Sequence, residues 1–548
     1  MKIAIAQINC LVGNIEKNYL SIIQYYLEAT KRNCDLVIFP ELSLSGYLLQ
    51  DAVLHSEFLR EIDEALLRIA NSTKGYKNYI IVGAPVLRAG KIHNAAILMG
   101  EGKVCKEFYK KHLPNYGVFD EKRFFHSRIS TELLRIGELD AGILICEDLW
   151  HDDVALDLKN QGAKILIGIN SSPFDLGKQD MRLNVIQNIT NKTLLPVIYV
   201  NRIGADDYLV FDGGSCVVEK NSFIVQPRYW EENLIEIEYK NGSLSAFIEP
   251  YENKISENEH IYNALMRGLG DFFSKNGFDR AVLGLSGGID SSFVAVLAAD
   301  VLGPENVHCL AMPSMFSSKA SFADAEDLVT KIGCNFNTIE INGVYQQILA
   351  NLQNLWGDLP FDVTEENLQA RIRGLLLMAT ANKTKALPLA TSNKSEFAVG
   401  YATLYGDMCG ALAPISDIYK TKLYELTKWR NILIPKDSKN PKLNLINNNI
   451  IEKAPSAELK ENQKDTDSLP PYDILDTILY GLIESNLSTI EAANEYNLPL
   501  DLVKKIESMV INSEFKRKQA PPGIKISTKA PGIERRFPIA FKGLRHRQ

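Results

Sequence analysis

Four short stretches of this 548-residue chain carry side chains whose types and spacing could do chemistry. Phe39-Pro40-Glu41-Leu42 places a carboxylate straight after an apolar run. Partial burial disfavours the charged form of a carboxylate and makes it a better base near neutral pH. Tyr109-Lys110-Lys111-His112-Leu113-Pro114 is a lysine cluster leading into Asn115-Tyr116-Gly117. Ile145-Cys146-Glu147-Asp148 puts a thiol at the end of the apolar run Ala141–Ile145. A cysteine at such a strand-to-helix elbow, near an ammonium and a carboxylate, can be deprotonated and presented to a substrate. The fourth stretch, Leu283-Gly-Leu-Ser-Gly-Gly-Ile-Asp-Ser-Ser292, enters from an apolar run and leaves into an alanine- and valine-rich helical pattern. A strand, a glycine turn and a helix N-terminus together make an anion site, with backbone N–H groups and the positive end of the helix dipole aimed at the ligand.

Each residue taken alone also fits a plainer role. Cys146 could be inert core, Glu41 an ion-pair partner, His112 structural and Lys111 a solvated charge. Asp290 could cap its helix or, beside phosphates, bind Mg²⁺. The fourth stretch is not a Walker A loop, because no lysine follows the glycines.

The elements that must position these groups read as alternating strands and helices. Short β-branched runs recur at Ile3–Ile8, Leu36–Phe39, Tyr79–Gly83, Ala141–Cys146, Lys164–Ile169 and Pro196–Val200. That alternation predicts a layered α/β fold with chemistry at strand ends. A polar stretch with Pro250 follows Phe247, and Ser256 is placed to cap a helix over Asn258–Lys275 that spaces Ile261, Leu265, Leu269 and Phe272 on one face. The expected division is a first domain over 1–247, a linker over 248–260 and a second domain over 261–548. Runs at Val307–Met312 and Asn337–Ile341 continue the alternation and predict a doubly wound parallel sheet. Arg371 and Arg373 stand two apart, so they do not share a helix face. Pro435–Pro471 is long, polar and rich in Asn, Lys, Asp and Pro, which predicts a mobile loop and a candidate lid.

Composition narrows the classes. With 46% hydrophobic and 23% charged residues the chain is an ordinary globular protein. A net charge of −7 gives no general attraction to nucleic acid or to anionic membrane, and the basic tail Arg535 to Arg547 is too short to reverse that. No apolar run reaches the roughly 18 residues of a membrane span, and the N-terminal run reads as a strand, not a signal peptide. The eight cysteines include no C-x-x-C, so neither a zinc site nor a disulfide framework is indicated, and the expected setting is the reducing cytoplasm.

The ordered set Glu41, Lys110, Cys146 resembles the Glu-Lys-Cys triad of the nitrilase (carbon–nitrogen hydrolase) superfamily, over approximately residues 1 to 245. The resemblance implies a four-layer αββα sandwich, a cysteine nucleophile, Glu41 as acid and base, and Lys110 with the N–H after Cys146 as oxyanion donors. Glu121 stands where many such proteins place a supporting glutamate. In the glutaminases of that superfamily the matching positions Tyr116, Ser172 and Lys178 contact glutamine.

Ser-Gly-Gly-Ile-Asp-Ser resembles the pyrophosphatase loop of ATP enzymes that cleave between the α- and β-phosphates. With Asn367 to Arg373, Thr391-Ser-Asn-Lys-Ser-Glu396, Gly400–Gly410 and Glu514 to Pro521, the second half resembles NAD⁺ synthetases. That likeness implies a Rossmann-like sheet of the adenine nucleotide α-hydrolase type. It also implies ATP held by Gly284, Leu285, Ser286, Gly287, Gly288, Ile289, Asp290, Ser291, Ser292 and Thr391. Asn367, Glu396 and Lys516 would contact deamido-NAD⁺, and Asp290 and Glu396 would hold Mg²⁺. A basic run such as 516–518 is equally a common solvated surface feature.

The fusion of the two halves resembles the glutamine-dependent NAD⁺ synthetase family. The implied substrates are deamido-NAD⁺, ATP and L-glutamine, with no nucleic-acid or membrane partner and a homo-oligomer built on dimers of the second domain. Because ammonia in water is mostly ammonium, which is no nucleophile, an internal ammonia route between the domains is expected.

Overall fold

Strands that are apolar on both sides need cover on both faces. In the computed structural model, which describes residues 1–128, 131–247, 255–357, 359–532 and 534–541, the unit Met1–Ile255 supplies that cover with two facing sheets. The first sheet runs in the order Ser243–Ala246, Asn233–Lys240, Lys2–Gln7, Leu36–Ile38, Tyr79–Arg88, Lys91–Gly100, Lys103–Tyr109. The second runs Ile203–Asp206, Leu209–Glu219, Val197–Asn201, Ile165–Asn170, Leu139–Ile145, Leu133–Ile136, with Ser222–Tyr229 also paired to Leu209–Glu219.

Side-chain alternation sorts the faces. Ile3, Ile5, Leu36 and Ile38 of the first sheet pack with Ile143, Ile145, Ile165 and Ile167 of the second. Ala4, Ala6 and Val37 point the other way, onto the helices Ile15–Lys31 and Ser56–Ser72 through Ile22, Tyr26, Ile62 and Leu66. On the far side, Leu144 and Leu166 meet Val154, Leu158, Ile186 and Ile189 of the helices Asp152–Asn160 and Lys178–Thr193. The result is the expected αββα stack. Burying each of these large apolar side chains contributes about 1.5–3 kcal/mol. The parallel strands Leu36–Ile38, Leu139–Ile145 and Ile165–Asn170 end beside Glu41, Cys146 and Ser171, so one packed core holds the ends that carry chemistry.

The second unit, Ser256–Gln548, opens with the helix Glu257–Lys275. Ser256 is its N-cap, accepting from the Glu259 N–H, so the helix begins within the stretch assigned to a linker. Residues 248–254 of that stretch, and Arg545 and Arg547 of the basic tail, lie outside the described residues. Phe273, one position after the Phe272 of the sequence pattern, is the phenylalanine buried here. Four parallel strands follow in the order Asn335–Thr338, Val307–Ala311, Ala281–Gly284, Leu387–Leu389. The chain leaves Ala281–Gly284 toward one edge and returns on its other side. The C-terminal end of that strand is therefore the topological switch point, where doubly wound sheets bind ligands. The next helix, Ile289–Leu302, is buried along nearly its whole length, which explains its unbroken run of Val, Leu and Ala.

The polar stretch 435–471 corrects the expectation of a mobile loop. Leu445, Ile446, Ile450 and Leu469 are buried, and a short helix spans Asn448–Glu452. Its start is tied to a buried ion pair: Arg430 bonds both oxygens of Asp300 at 2.7 and 2.8 Å, and Ser438 donates to Asp300 at 2.8 Å. Composition alone hid these few apolar anchors. Among the described residues no helix is long and apolar enough to cross a membrane.

Two candidate active sites

In the first unit, Glu41 sits in the turn after Leu36–Ile38, with Leu42 in the left-handed region at φ 48°. Gly83 lets the neighbouring strand come close enough: a Cβ there would lie 2.3 Å from the Leu42 nitrogen and 2.5 Å from the Pro40 oxygen. The Glu41 carboxylate is fully buried and accepts from the Asn94 amide at 2.7 Å, the Lys110 ammonium at 2.7 Å and the Ser171 N–H at 2.8 Å. Lys110, just past the edge strand Lys103–Tyr109, also bonds Glu121 at 2.9 Å. Burial works against its charge, but the Glu121 and Glu41 carboxylates outweigh it and hold the ammonium firmly protonated. Burial lifts the Glu121 carboxyl to about 7 against the pull of Lys110. Tyr47 donates to the same Glu121 oxygen at 3.0 Å.

Cys146 opens a short turn, Cys146–Trp150, directly after Leu139–Ile145, and its own backbone is left-handed at φ 49°. A non-glycine residue in that region is uncommon, and at a nucleophile it turns the side chain out of the strand. The electrostatics agree with the expectation that Glu41 takes the thiol proton. Burial and the Glu41 charge push the thiol well above its ordinary range, and Lys110 only partly offsets them. The resting group is a thiol that needs a base, and Glu41 is the carboxylate that acts on it most strongly.

The glutamine-contact candidates flank this turn. Tyr116 is half exposed and donates to Glu147 at 2.8 Å. Lys178 begins a helix and places its ammonium 4.9 Å from the centre of the Trp150 ring. Ser172 is buried, its N–H donating to Asn201 at 2.9 Å. Lys111 and His112 take the plainer role: both bond Asp153, and the His112 ring stacks on His151.

In the second unit the switch point opens onto a cavity of about 300 Å³. Gly284, Leu285, Ser286, Gly288, Ile289, Asp290, Ser291, Thr391 and Glu396 line it. The loop is braced internally, with the Gly288 N–H donating to Ser286 Oγ and Ser292 Oγ donating to the Gly288 carbonyl. Gly287, at φ 77°, has no room for a side chain: a Cβ would lie 2.0 Å from the Ser321 carbonyl oxygen. Asp290 accepts from Asn393 at 2.7 Å and from the Lys420 ammonium, which also lies 3.5 Å from Glu396. Burial and the Asp290 charge lift Glu396 to about 8, with Lys420 pulling the other way. Arg373 reaches the cavity wall and donates to the Met312 carbonyl, while Arg371 faces outward, the split their spacing requires.

Asn367 and Lys516 do not line the cavity themselves but bond the loop 400–407, whose Tyr401, Gly406 and Asp407 do. Asn367 accepts from Thr403 at 2.7 Å, and Lys516 donates to the carbonyls of Gly400 and Ala402. The basic run is thus partly tucked in, with Arg517 buried against Glu514. Lys420, Asn94 and Tyr47 stand in no local motif, so the sequence alone does not mark them. The only signal for Lys420 was its place at a helix start after the apolar run Leu412–Ile415.

A carbon–nitrogen hydrolase domain matches residues 2–248 and an NAD synthase domain matches residues 261–520, which defines the class: an amide-hydrolysing fold joined to a nucleotide-dependent synthase. The chain is 39% identical to a glutamine-dependent NAD(+) synthetase of Rhodobacter capsulatus and 40% identical to one of Synechocystis sp., in each case over 98% of both chains. It superposes with a TM-score of 0.78 and 34% identity, over 98% of both chains, on the Acinetobacter baumannii glutamine-dependent NAD+ synthetase solved in complex with ADP. The chain belongs to the glutamine-dependent NAD(+) synthetase family.

Proposed function

We propose that the first unit releases ammonia from L-glutamine and that the second spends ATP to amidate deamido-NAD⁺, giving NAD⁺, AMP, pyrophosphate and glutamate. The observation that carries the first half is a cysteine at a left-handed turn directly after a buried strand, in one unit with a buried Glu41–Lys110–Glu121 carboxylate–ammonium cluster. Glu41 takes the Cys146 proton as the sulfur attacks the amide carbonyl, then passes it to the departing ammonia. Water activated by Glu41 hydrolyses the thioester, releasing glutamate and restoring the thiol. Lys110 and the N–H after Cys146 stabilise the oxyanion in both steps. Glu121 keeps Lys110 charged and in place. Tyr116, Ser172 and Lys178 hold glutamine, the Lys178 ammonium facing its carboxylate.

In the second unit, the loop 284–292 and Thr391 hold ATP, with the phosphates on the N-terminus of Ile289–Leu302. Asn367, Glu396 and Lys516 hold the dinucleotide. The pyridine carboxylate attacks the α-phosphorus and pyrophosphate leaves; ammonia then attacks the acyl carbon and AMP leaves. Lys420 bridges Asp290 and Glu396. Those two carboxylates, converging on one cation, are the hard oxygen donors a Mg²⁺ ion takes, leaving room in its shell for phosphate oxygens and water. Bound there, the metal would neutralise phosphate charge. The unit works as a dimer of its own kind, and ammonia passes to it without equilibrating with solvent.

Incubating the protein with ATP, Mg²⁺, glutamine and deamido-NAD⁺ should yield NAD⁺, AMP, pyrophosphate and glutamate in equal amounts. No NAD⁺ at saturating substrates would overturn the assignment. Labelled bulk ammonium should stay out of NAD⁺ during glutamine turnover, and free incorporation would refute direct transfer.

A further inference from the structure

Lys110 and Cys146 belong to different sheets. Lys110 hangs from the end of the edge strand Lys103–Tyr109 of the first sheet, and Cys146 follows Leu139–Ile145 of the second. Their separation must hold to a fraction of an ångström if an ammonium is to meet an oxyanion on the carbon attacked by the sulfur. One side chain spans the gap. Asp148, almost wholly buried, accepts at one carboxylate oxygen from the Lys111 N–H at 3.1 Å and the His112 N–H at 2.8 Å. Its other oxygen accepts from the Ile145 N–H at 3.1 Å. The backbone just after Lys110 and the backbone just before Cys146 are thus bonded to the same carboxylate.

We propose that Asp148 is a positioning residue for glutamine hydrolysis, fixing the oxyanion donor of one sheet against the nucleophile of the other. The proposal rests on the Glu41–Lys110–Cys146 reading. All three partners are donors, so only an acceptor at both oxygens fits, and an asparagine must turn an N–H₂ toward one of the two backbones. That loosens the register between the sheets without touching the residues around bound glutamine.

The test is D148N in the full-length enzyme. Glutamine hydrolysis should fall about 10²-fold in kcat, the size expected for a misplacement remote from the chemistry. The KM for glutamine and the ammonia-driven synthesis of NAD⁺ should stay near wild type. D148E, which keeps two acceptor oxygens, should recover part of the lost kcat. Full kcat in D148N would overturn the proposal. So would a loss of glutamine binding, measured by calorimetry, in step with turnover in both variants, because Asp148 would then be a general support of the fold. C146A run alongside separates the two levels: if it still hydrolyses glutamine, the underlying reading fails whatever D148N does.

Discussion

In E41Q a carboxamide must fit a socket built only for an acceptor. The neighbours of the Glu41 carboxylate are the Asn94 amide N–H, the Lys110 ammonium and the Ser171 backbone N–H, at 2.7, 2.7 and 2.8 Å, and all three donate. Whichever way the amide turns, its N–H₂ faces at least one of them, at a cost of about 1–3 kcal/mol for the unmet group. Loss of the base itself should lower glutamine turnover by about 10²–10⁴-fold. At about 1.4 kcal/mol per decade that is about 3–5 kcal/mol of transition-state stabilisation. The thiol should move the other way. The Glu41 charge is one of the forces holding Cys146 protonated, so removing it leaves Lys110 to pull the thiol down. The rate of alkylation by iodoacetamide should therefore reach its midpoint at lower pH in E41Q than in wild type, while glutamate release collapses. Both are read on one preparation, with ammonia-driven synthesis as the control for intact protein. Near-normal glutamate release, or an alkylation midpoint that rises, would refute the reasoning.

Three further outcomes follow from the geometry. Burial holds Asp148 up at about 6, with the His112 and Ile145 N–H groups and then the charges of Lys110 and His112 pulling it down, while Cys146 and Glu147 share its turn. The carboxylate is the form that accepts from both backbones, so glutamine kcat should be falling as pH drops through about 6; a flat profile down to pH 5 would contradict this. Lys420 is almost fully buried between Asp290 and Glu396, so K420M should destabilise the second unit by about 3–5 kcal/mol, the cost of breaking a buried pair. Ammonia-driven synthesis should be lost and glutamine hydrolysis kept, as read by melting and by the two assays. In G287A the left-handed φ of 77° costs about 1–2 kcal/mol. The clash with the Ser321 carbonyl adds to this, so ATP-dependent synthesis should fail and a thermal melt should show the loss.

Much of this was legible in the sequence because the relevant physics is local. Alternation in Lys2–Gln7 sorts Ile3 and Ile5 from Ala4 and Ala6, and the αββα stack uses that sorting directly. Strand ends at Glu41 and Cys146 and the glycine turn at 287 and 288 mark themselves by residue type. What could not be read depends on residues far apart in the chain. Lys420 meets Asp290 across 130 positions and Asn94 meets Glu41 across 53, and neither spacing leaves a local trace. The protonated state of Cys146 follows from burial between two sheets, which a motif cannot express. The stretch 435–471 looked unanchored because its composition is polar, yet Ser438 bonds Asp300 and Glu458 bonds Ser318 and Ser321 at the start of the helix Lys319–Ile332.

The central claim is that one chain holds two separable chemistries, with ammonia made at Cys146 and consumed at the loop 284–292. C146A tests it most directly, with NAD⁺ formation measured from glutamine and, separately, from ammonium at the same ATP and deamido-NAD⁺ concentrations. The account predicts that glutamine-driven synthesis disappears while ammonium-driven synthesis continues at the wild-type rate. Glutamine-driven synthesis that persists in C146A would contradict it.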